Sequence, residues 1–338
     1  MATARKRASG VWRVRVYVGT GADGKRMYKS FQADTKKEAE FLASEYLTRR
    51  KNDIRAKLTL SEAYDRYIES KSAVLSPGTI REYKRTKKGY LQDIMDIYIT
   101  DLTQEDIQKA INQEALKLSP KSVRNIHGLL TAVLDVFAPD FKIHTSLPQK
   151  KKVQVEIPDD ATIKRMLSLS KGTELEVPLL LATMGPLRRG EICALTLDDV
   201  KGNTVTVSKS MVQNSDKEWV VKPPKTFAGN RTIAFPDFVI QLLKPAADGR
   251  LVSMTPDSLY NKYSYFLRKH GFPHYKFHAL RHYCASMLHA EGVPDQYIMS
   301  RGGWSSKEAL INIYQHTISD REAKITDQIL EKFNTLTS

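Results

Sequence analysis

Residues 278–291 read His-Ala-Leu-Arg-His-Tyr-Cys-Ala-Ser-Met-Leu-His-Ala-Glu, a segment that predicts a helix. On a helix His278 and Arg281 lie three residues apart, so both side chains can meet one group from one face. Helices are expected on either side, at about 256–270, 294–300 and 306–313, and upstream at 159–170, 174–184, 189–196 and 236–247. Three short runs interrupt them: Thr-Val-Thr-Val-Ser at 204–208, Glu-Trp-Val-Val at 218–221 and Arg-Thr-Ile-Ala-Phe at 231–235. Their composition is that of strands, so residues 159–338 are expected to form a mixed α/β domain. A final amphipathic stretch at 320–334, within a tail from Asp320 to Leu336, adds a helix with Ile325, Ile329, Leu330 and Phe333 on one side. That helix suits docking on a neighbouring copy, and equally packing on its own domain.

Further upstream the pattern changes twice. Residues 58–138 are expected to be all-α: Thr59 and Glu62 have the spacing of a capping box, and Leu60, Ala63, Tyr64, Tyr67 and Ile68 recur at helical intervals. Three more helices follow at about 77–90, 103–117 and 120–137, the last opened by Ser119 as cap and Pro120 as first residue. Residues 139–158 carry Pro139, Pro148, Pro158 and the run Lys150-Lys151-Lys152, and are expected to be a basic linker suited to a phosphate backbone.

At the start of the chain, residues 11–18 alternate, with Trp12, Val14, Val16 and Val18 on one face and Arg13, Arg15 and Tyr17 on the other. A Gly-rich turn at 19–24, a second strand at about 25–32 and a helix from Lys36 to Arg50 complete a small module over 1–57. Its Arg13, Arg15 and Tyr17 face suits DNA contact, with an ordinary solvated basic surface as the alternative. The fold class expected is therefore multidomain and mainly α with small β-sheets.

Charge supports a polyanionic partner. The 338 residues carry 53 Lys and Arg against 38 Asp and Glu, a formal +15, which fits DNA, RNA or an acidic membrane surface. The excess is uneven, with 15 basic against 6 acidic residues over 1–57. Only two cysteines occur, Cys193 and Cys284, without CxxC spacing, so no disulfide framework or zinc site is indicated. The start has no apolar run, and no stretch reaches the roughly 18 apolar residues of a membrane span. These features predict a soluble protein of a reducing compartment.

The chemistry-bearing residues of the last domain come in a fixed order. Leu187-Arg188-Arg189-Gly190-Glu191 is followed by Pro224-Lys225-Thr226, then His278-Ala279-Leu280-Arg281, then Gly302-Gly303-Trp304, and ten residues later Tyr314 within Asn312-Ile313-Tyr314-Gln315-His316. Any one of these is unremarkable alone, and Tyr314 is one of 15 tyrosines. Together, over about residues 174–318, the ordered set resembles the signature of the tyrosine recombinase family, which includes phage and conjugative-transposon integrases. Two details depart from the usual pattern. The first arginine is approached through Thr183-Met184-Gly185-Pro186-Leu187 rather than Thr-Gly-Leu, and Gly302-Gly303-Trp304 replaces Leu-Gly-His. His282 and His316 flank the motifs without matching the signature.

The resemblance implies a reaction and a role for each residue. Tyr314 would attack a DNA phosphodiester and form a 3′-phosphotyrosine, with Arg188 and Arg281 as rigid forks on the non-bridging oxygens. His278 would serve as acid/base or phosphate hydrogen-bond donor, and Lys225 as the general acid that protonates the departing 5′ oxygen. Trp304 stands where many relatives carry His, and its indole N–H can donate but accepts no proton. Glu191, one turn beyond Arg188, would orient an arginine or a neighbouring backbone group. The phenol of Tyr314, with an ordinary pKa near 10, needs the surrounding cations to act at neutral pH. The covalent bond stores the energy for rejoining, so neither a cofactor nor a metal is expected.

The resemblance also implies domains: an arm-binding module over 1–57, a SAM-like core-binding domain over 58–138, the linker at 139–158 and a catalytic domain with tail helix over 159–338. It implies a homotetramer on double-stranded DNA carrying core and arm sites, assisted by a directionality factor and a DNA-bending protein, in the cytoplasm of a bacterial host and associated with its nucleoid. A type IB topoisomerase shares the tyrosine chemistry, but the arm-like module argues against it. A non-catalytic DNA-binding regulator has no use for this ordered set.

Overall fold

A computed structural model describes residues 3–8, 10–20, 25–56, 58–150, 155–224, 227–314, 330 and 335. The chain divides into two compact units, one of residues 1–74 and 82–151, the other of residues 75–81 and 152–338.

The first unit opens with a three-stranded antiparallel sheet in which Trp12–Thr20 lies between Arg5–Lys6 and Arg26–Ala33. Alternation holds as the sequence requires: Val14 and Val16 are buried with Ala39 and Ala43 of the helix Lys36–Ala56. Val18, expected on the same face, is only half-buried, because a bulge between Tyr17 and Gly19 breaks the period there. On the opposite face the Arg15 guanidinium lies 4.5 Å over the Tyr28 ring, and Tyr17 meets Tyr28 edge-on at 5.7 Å. Arg13 is tethered to the Ser30 hydroxyl, its Nη2 donating over 2.6 Å.

The all-α part comprises helices Leu60–Lys71, Pro77–Gly89, Gln92–Met95, Gln104–Lys117 and Pro120–Phe137. Thr59 and Glu62 form the expected capping box, with the Glu62 N–H donating to the Thr59 hydroxyl and the Thr59 N–H to the Glu62 carboxylate. Thr103 and Asp106 repeat the device, and Ser119 caps the helix begun by Pro120. Leu60, Tyr64, Ile107, Ile111, Val123 and Leu130 lie at the centre of a shared core.

Residues 139–148 lack regular structure, as their prolines dictate, but they are strapped down rather than free. Phe141, Ile143 and Leu147 pack on the helical core. Gln104 donates to the Lys142 carbonyl and accepts from the His144 N–H, Gln108 does the same for Ser146, and Arg124 donates to the Pro148 carbonyl. The segment expected to be a linker from 139 onward is thus part of this unit up to 148, because alternate apolar residues give it a face to bury.

In the second unit, helices Asp160–Ser170, Glu176–Met184, Pro256–Lys269 and Phe277–Ala290 surround two small antiparallel sheets. One sheet orders Thr204–Val207 between Val200–Lys201 and Arg231–Ala234, and the other is a hairpin of Ser210–Gln213 with Trp219–Lys222. The strand Ser210–Gln213 was not expected, because Ser-Met-Val-Gln has a single β-branched residue to mark it as a strand. Two helices are shorter than expected. The one from Arg189 stops at Ile192, before Thr196 and Asp199 cap a new turn, and Asp237–Leu242 stops short of Pro245, whose ring disfavours helix in the residue before it.

Helices Asp295–Gly302 and Lys307–Tyr314 close the unit, with Leu310 and Ile298 buried on Ala285. Leu330 and Thr335 of the expected tail helix are helical, and the rest of that stretch lies outside the described residues. No helix among the described residues is long and apolar enough to cross a membrane.

Candidate active site

Helix Phe277–Ala290 carries two of the expected site residues. Phe277, Leu280 and Cys284 face the core, and this inward face also holds Arg281, which is 1% exposed. A guanidinium so placed must find partners or leave donors unsatisfied. Its Nη1 donates to the Pro186 carbonyl, and its plane lies 3.9 Å from the centre of the Trp304 ring. Its Nη2 is buried without any hydrogen-bond partner among the described residues. His278, one turn earlier, is exposed at the surface, and its ring meets that of His282 edge-on at 4.6 Å.

Arg188 stands at the cap position of the short helix Arg189–Ile192, and Glu191 folds back on it. The Arg188 N–H donates to Glu191 Oε2 over 2.8 Å, and Arg188 Nη1 to Oε1 over 2.6 Å. Arg188 Nη2 reaches the Gly303 carbonyl at 3.1 Å, which brings the first arginine motif and the Gly-Gly-Trp motif together. That turn depends on its glycines. Gly303 has φ +66°, and a Cβ there would stand 2.6 Å from the Ala228 carbonyl oxygen. At Gly302 a Cβ would overlap the Trp304 ring itself, at 1.7 Å. The two glycines let the indole fold back onto Arg281.

A residue that sequence reasoning missed completes the cluster. Arg231, at the start of strand Arg231–Ala234, donates from Nη2 to Glu191 Oε2 over 2.8 Å and from Nε to the Arg301 carbonyl over 2.8 Å. The signal was present in the strand's own alternation. Arg231, Ile233 and Phe235 share one parity, and all three are buried, so an arginine on an apolar face implied a buried acidic partner.

Of the other expected residues, Tyr314 is the last residue of helix Lys307–Tyr314, anchored one turn earlier by the fully buried Leu310. The Tyr314 side chain and residues Lys225, Lys151 and Lys152 lie outside the described residues. Pro224 and the turn Phe227–Gly229 flank Lys225, and the Gly229 carbonyl accepts a hydrogen bond from Arg231 Nη1. In the first unit Arg15, Tyr17 and Lys150 are exposed and Arg13 is half-buried.

Residues 159–321 match the phage integrase family, and residues 59–114 match the SAM-like N-terminal domain of phage integrases. This chain belongs to the tyrosine recombinase family. A XerC-like tyrosine recombinase of Caldanaerobacter subterraneus subsp. tengcongensis is 23% identical, with 95% of this chain and 96% of that protein covered. The Tn1549 transposon integrase, solved with a circular intermediate DNA, is 18% identical with a TM-score of 0.66, over 80% of this chain and 100% of that one. The lambda integrase tetramer bound to a Holliday junction gives 16% identity and a TM-score of 0.58, over 90% of this chain and 96% of that one.

Electrostatics in this tyrosine recombinase favour an anion. Among the described residues, Arg188 and Arg231 share the Glu191 carboxylate and Arg281 lies within its electrostatic reach, three positive charges to one negative. Burial works against the charge of Glu191, yet the hydrogen bond and charge of Arg231, together with Arg188, outweigh it and hold the carboxyl below its usual range. Burial, reinforced by Arg188 and Arg231, also disfavours the charge of Arg281. An arginine keeps its proton regardless, so the cost is carried as an unmet demand for a counter-anion. Crowding by surrounding protein, with His282, Arg281 and Arg188 beside it, lowers the His278 pKa although the residue is exposed, and leaves its ring neutral at pH 7.

Proposed function

We propose that this chain is a site-specific DNA recombinase, an integrase that cleaves and rejoins DNA strands through Tyr314 and thereby integrates and excises a mobile element. The observation that carries this is the buried, unpartnered Nη2 of Arg281, beside an Arg188 whose side chain is 40% exposed. An unsatisfied buried donor costs about 1–3 kcal/mol, and a non-bridging phosphate oxygen is the acceptor that relieves it. Extra negative charge develops on such oxygens in the five-coordinate transition state, so these donors act most strongly there.

The reaction balances without an external energy source. The Tyr314 oxygen bonds to phosphorus as the bond to the 5′ oxygen breaks. The phenolic proton passes to a neutral base such as His278, and Lys225 protonates the leaving 5′ oxygen. The phosphotyrosine then returns the strand to a 5′ hydroxyl by the same steps reversed. Trp304, stacked on Arg281, holds the guanidinium plane in place.

Charge and exposure support the wider assignment. The sheet face bearing Arg13, Arg15 and Tyr17 would bind accessory arm sites, and Lys150, Lys151 and Lys152 would follow the backbone at the core site. In this reading the arm-binding module would be residues 1–57, the core-binding domain 58–138, the linker 139–158 and the catalytic domain 159–338. The working form would be a homotetramer in the bacterial cytoplasm, on the nucleoid, biased by a directionality factor and a DNA-bending protein.

The test is to incubate the protein with supercoiled DNA carrying its element's attachment site, quench with detergent and look for a protein–DNA adduct. Wild type should form it and Tyr314→Phe should not. An adduct in both would place the nucleophile elsewhere, and none in either, with binding intact, would make the chain a regulator.

A further inference from the structure

We propose that Arg231 is a positioning residue for the cleavage step, one that acts through Glu191 to keep Arg188 available to the phosphate. The proposal rests on the DNA-cleavage function above, and starts from how the three arginines spend their donors.

Arg231 gives its donors to protein. Nη2 and Nη1 donate to the two oxygens of Glu191, at 2.8 and 3.3 Å, while Nε donates to the Arg301 carbonyl and Nη1 also to the Gly229 carbonyl. Its side chain is 4% exposed, so it offers nothing to a substrate. Arg281 keeps Nη2 without a partner, and the Arg188 side chain stays open to solvent. Only the last two can be phosphate ligands.

Glu191 is where Arg231 acts. Its Oε1 accepts from Arg188 Nη1 and Arg231 Nη1, and its Oε2 from the Arg188 N–H and Arg231 Nη2. A carboxylate buried this deeply demands a full positive charge. Arg231 supplies that charge from the inner side, so the outer arginine is oriented by Glu191 without being neutralised by it. Were Arg231 absent, Arg188, which already donates Nη1 to Glu191, would be the sole cation hydrogen-bonded to that carboxylate, and its charge would be spent on the protein. The Arg301 and Gly229 carbonyls hold Arg231 in register for this role.

A double-mutant cycle separates this from a structural role, since residues that act through one another are not additive. The full chain is assayed for adduct formation with a nicked duplex bearing its element's attachment core, alongside duplex binding and thermal unfolding. Arg231→Gln should slow adduct formation about 10²-fold, the loss typical of a preorganised phosphate contact, with binding affinity within about threefold of wild type by the same reckoning of uniform binding. In a Glu191→Gln background, where no carboxylate remains to capture Arg188, adding Arg231→Gln should slow the reaction by less than about threefold. This second comparison leaves no unpaired buried carboxylate, so it decides the matter even if the single variant fails to fold. A larger further loss in that background, or no loss in the single variant, overturns the proposal. Absence of any adduct from wild type would instead defeat the cleavage function on which it rests.

Discussion

Two arginine-bearing surfaces of this protein use the same side chain in opposite ways. On the N-terminal sheet Arg15 is exposed and lies over the Tyr28 ring, with Tyr17 beside it. In the second unit Arg231 and Arg281 are buried, and Arg188 is held by a buried glutamate. An exposed guanidinium is well solvated, screened by salt and cheap to maintain, so it suits attraction without exact placement. A buried one is costly and fixed in direction. Leaving one of its N–H groups without a partner makes sense where a ligand completes it.

That contrast predicts effects of different size and kind. The largest is at Arg281. Replacing it with Met should slow adduct formation by about 10²–10³ while leaving the free energy of unfolding unchanged or raised, because an orphaned buried donor worth about 1–3 kcal/mol is removed with it. Chemical denaturation beside the adduct assay checks both halves, and a stability loss of several kcal/mol would make Arg281 a structural residue.

At the exposed face the expectation is milder. Arg15→Ala should weaken binding to arm-site DNA evenly across sequences and make the salt slope shallower by about one counterion, with cleavage of a core-only duplex untouched. An unchanged slope in a salt titration would remove Arg15 from the interface.

Acidification gives the smallest effect, and it belongs to the buried side. His282 has a buried Nδ1 without a partner, and burial, then Arg281, pushes its pKa down to about 4. Between its unfolded value near 6.5 and that folded value, only the unfolded chain takes up the proton, so stability falls as pH drops. The slope from this group is at most about 1.4 kcal/mol per pH unit. His282→Asn should make the fall of denaturation midpoints from pH 6.5 to 4.5 shallower, the remaining slope coming from His278, whose pKa desolvation by the surrounding protein lowers to about 3. Glu191 acts later and in the same direction: its depressed pKa contributes stability above the ordinary carboxylate range, which is lost as pH falls below that range through the folded pKa. An acid slope that His282→Asn leaves intact would assign it to other groups.

Much of this was legible in local pattern. Capping residues Thr59 and Ser119, the alternation at Val14 and Val16, and the helical intervals from Leu60 to Ile68 are short-range effects that a sequence displays directly. The hairpin strand Ser210–Gln213 was not, because Ser-Met-Val-Gln has a single β-branched residue and pairing with Trp219–Lys222 fixes it. Nor was the strapping of residues 139–148, which depends on Gln104 and Gln108 some 38 to 40 residues away.

For the site, the sequence by itself determined which residue types were available and in what order: Arg188, Lys225, His278, Arg281, Trp304 and Tyr314. It also determined that His278 and Arg281 lie one turn apart on one helix, since helical spacing alone places them so. Tertiary structure decided what each charge is for. Arg188, Arg231 and Arg281 look alike in a sequence, and the difference between a donor spent on Glu191 and a donor left open lies in contacts spanning up to 115 residues. Burial raises the cost of an unmatched charge, and burial is a property of the packed chain.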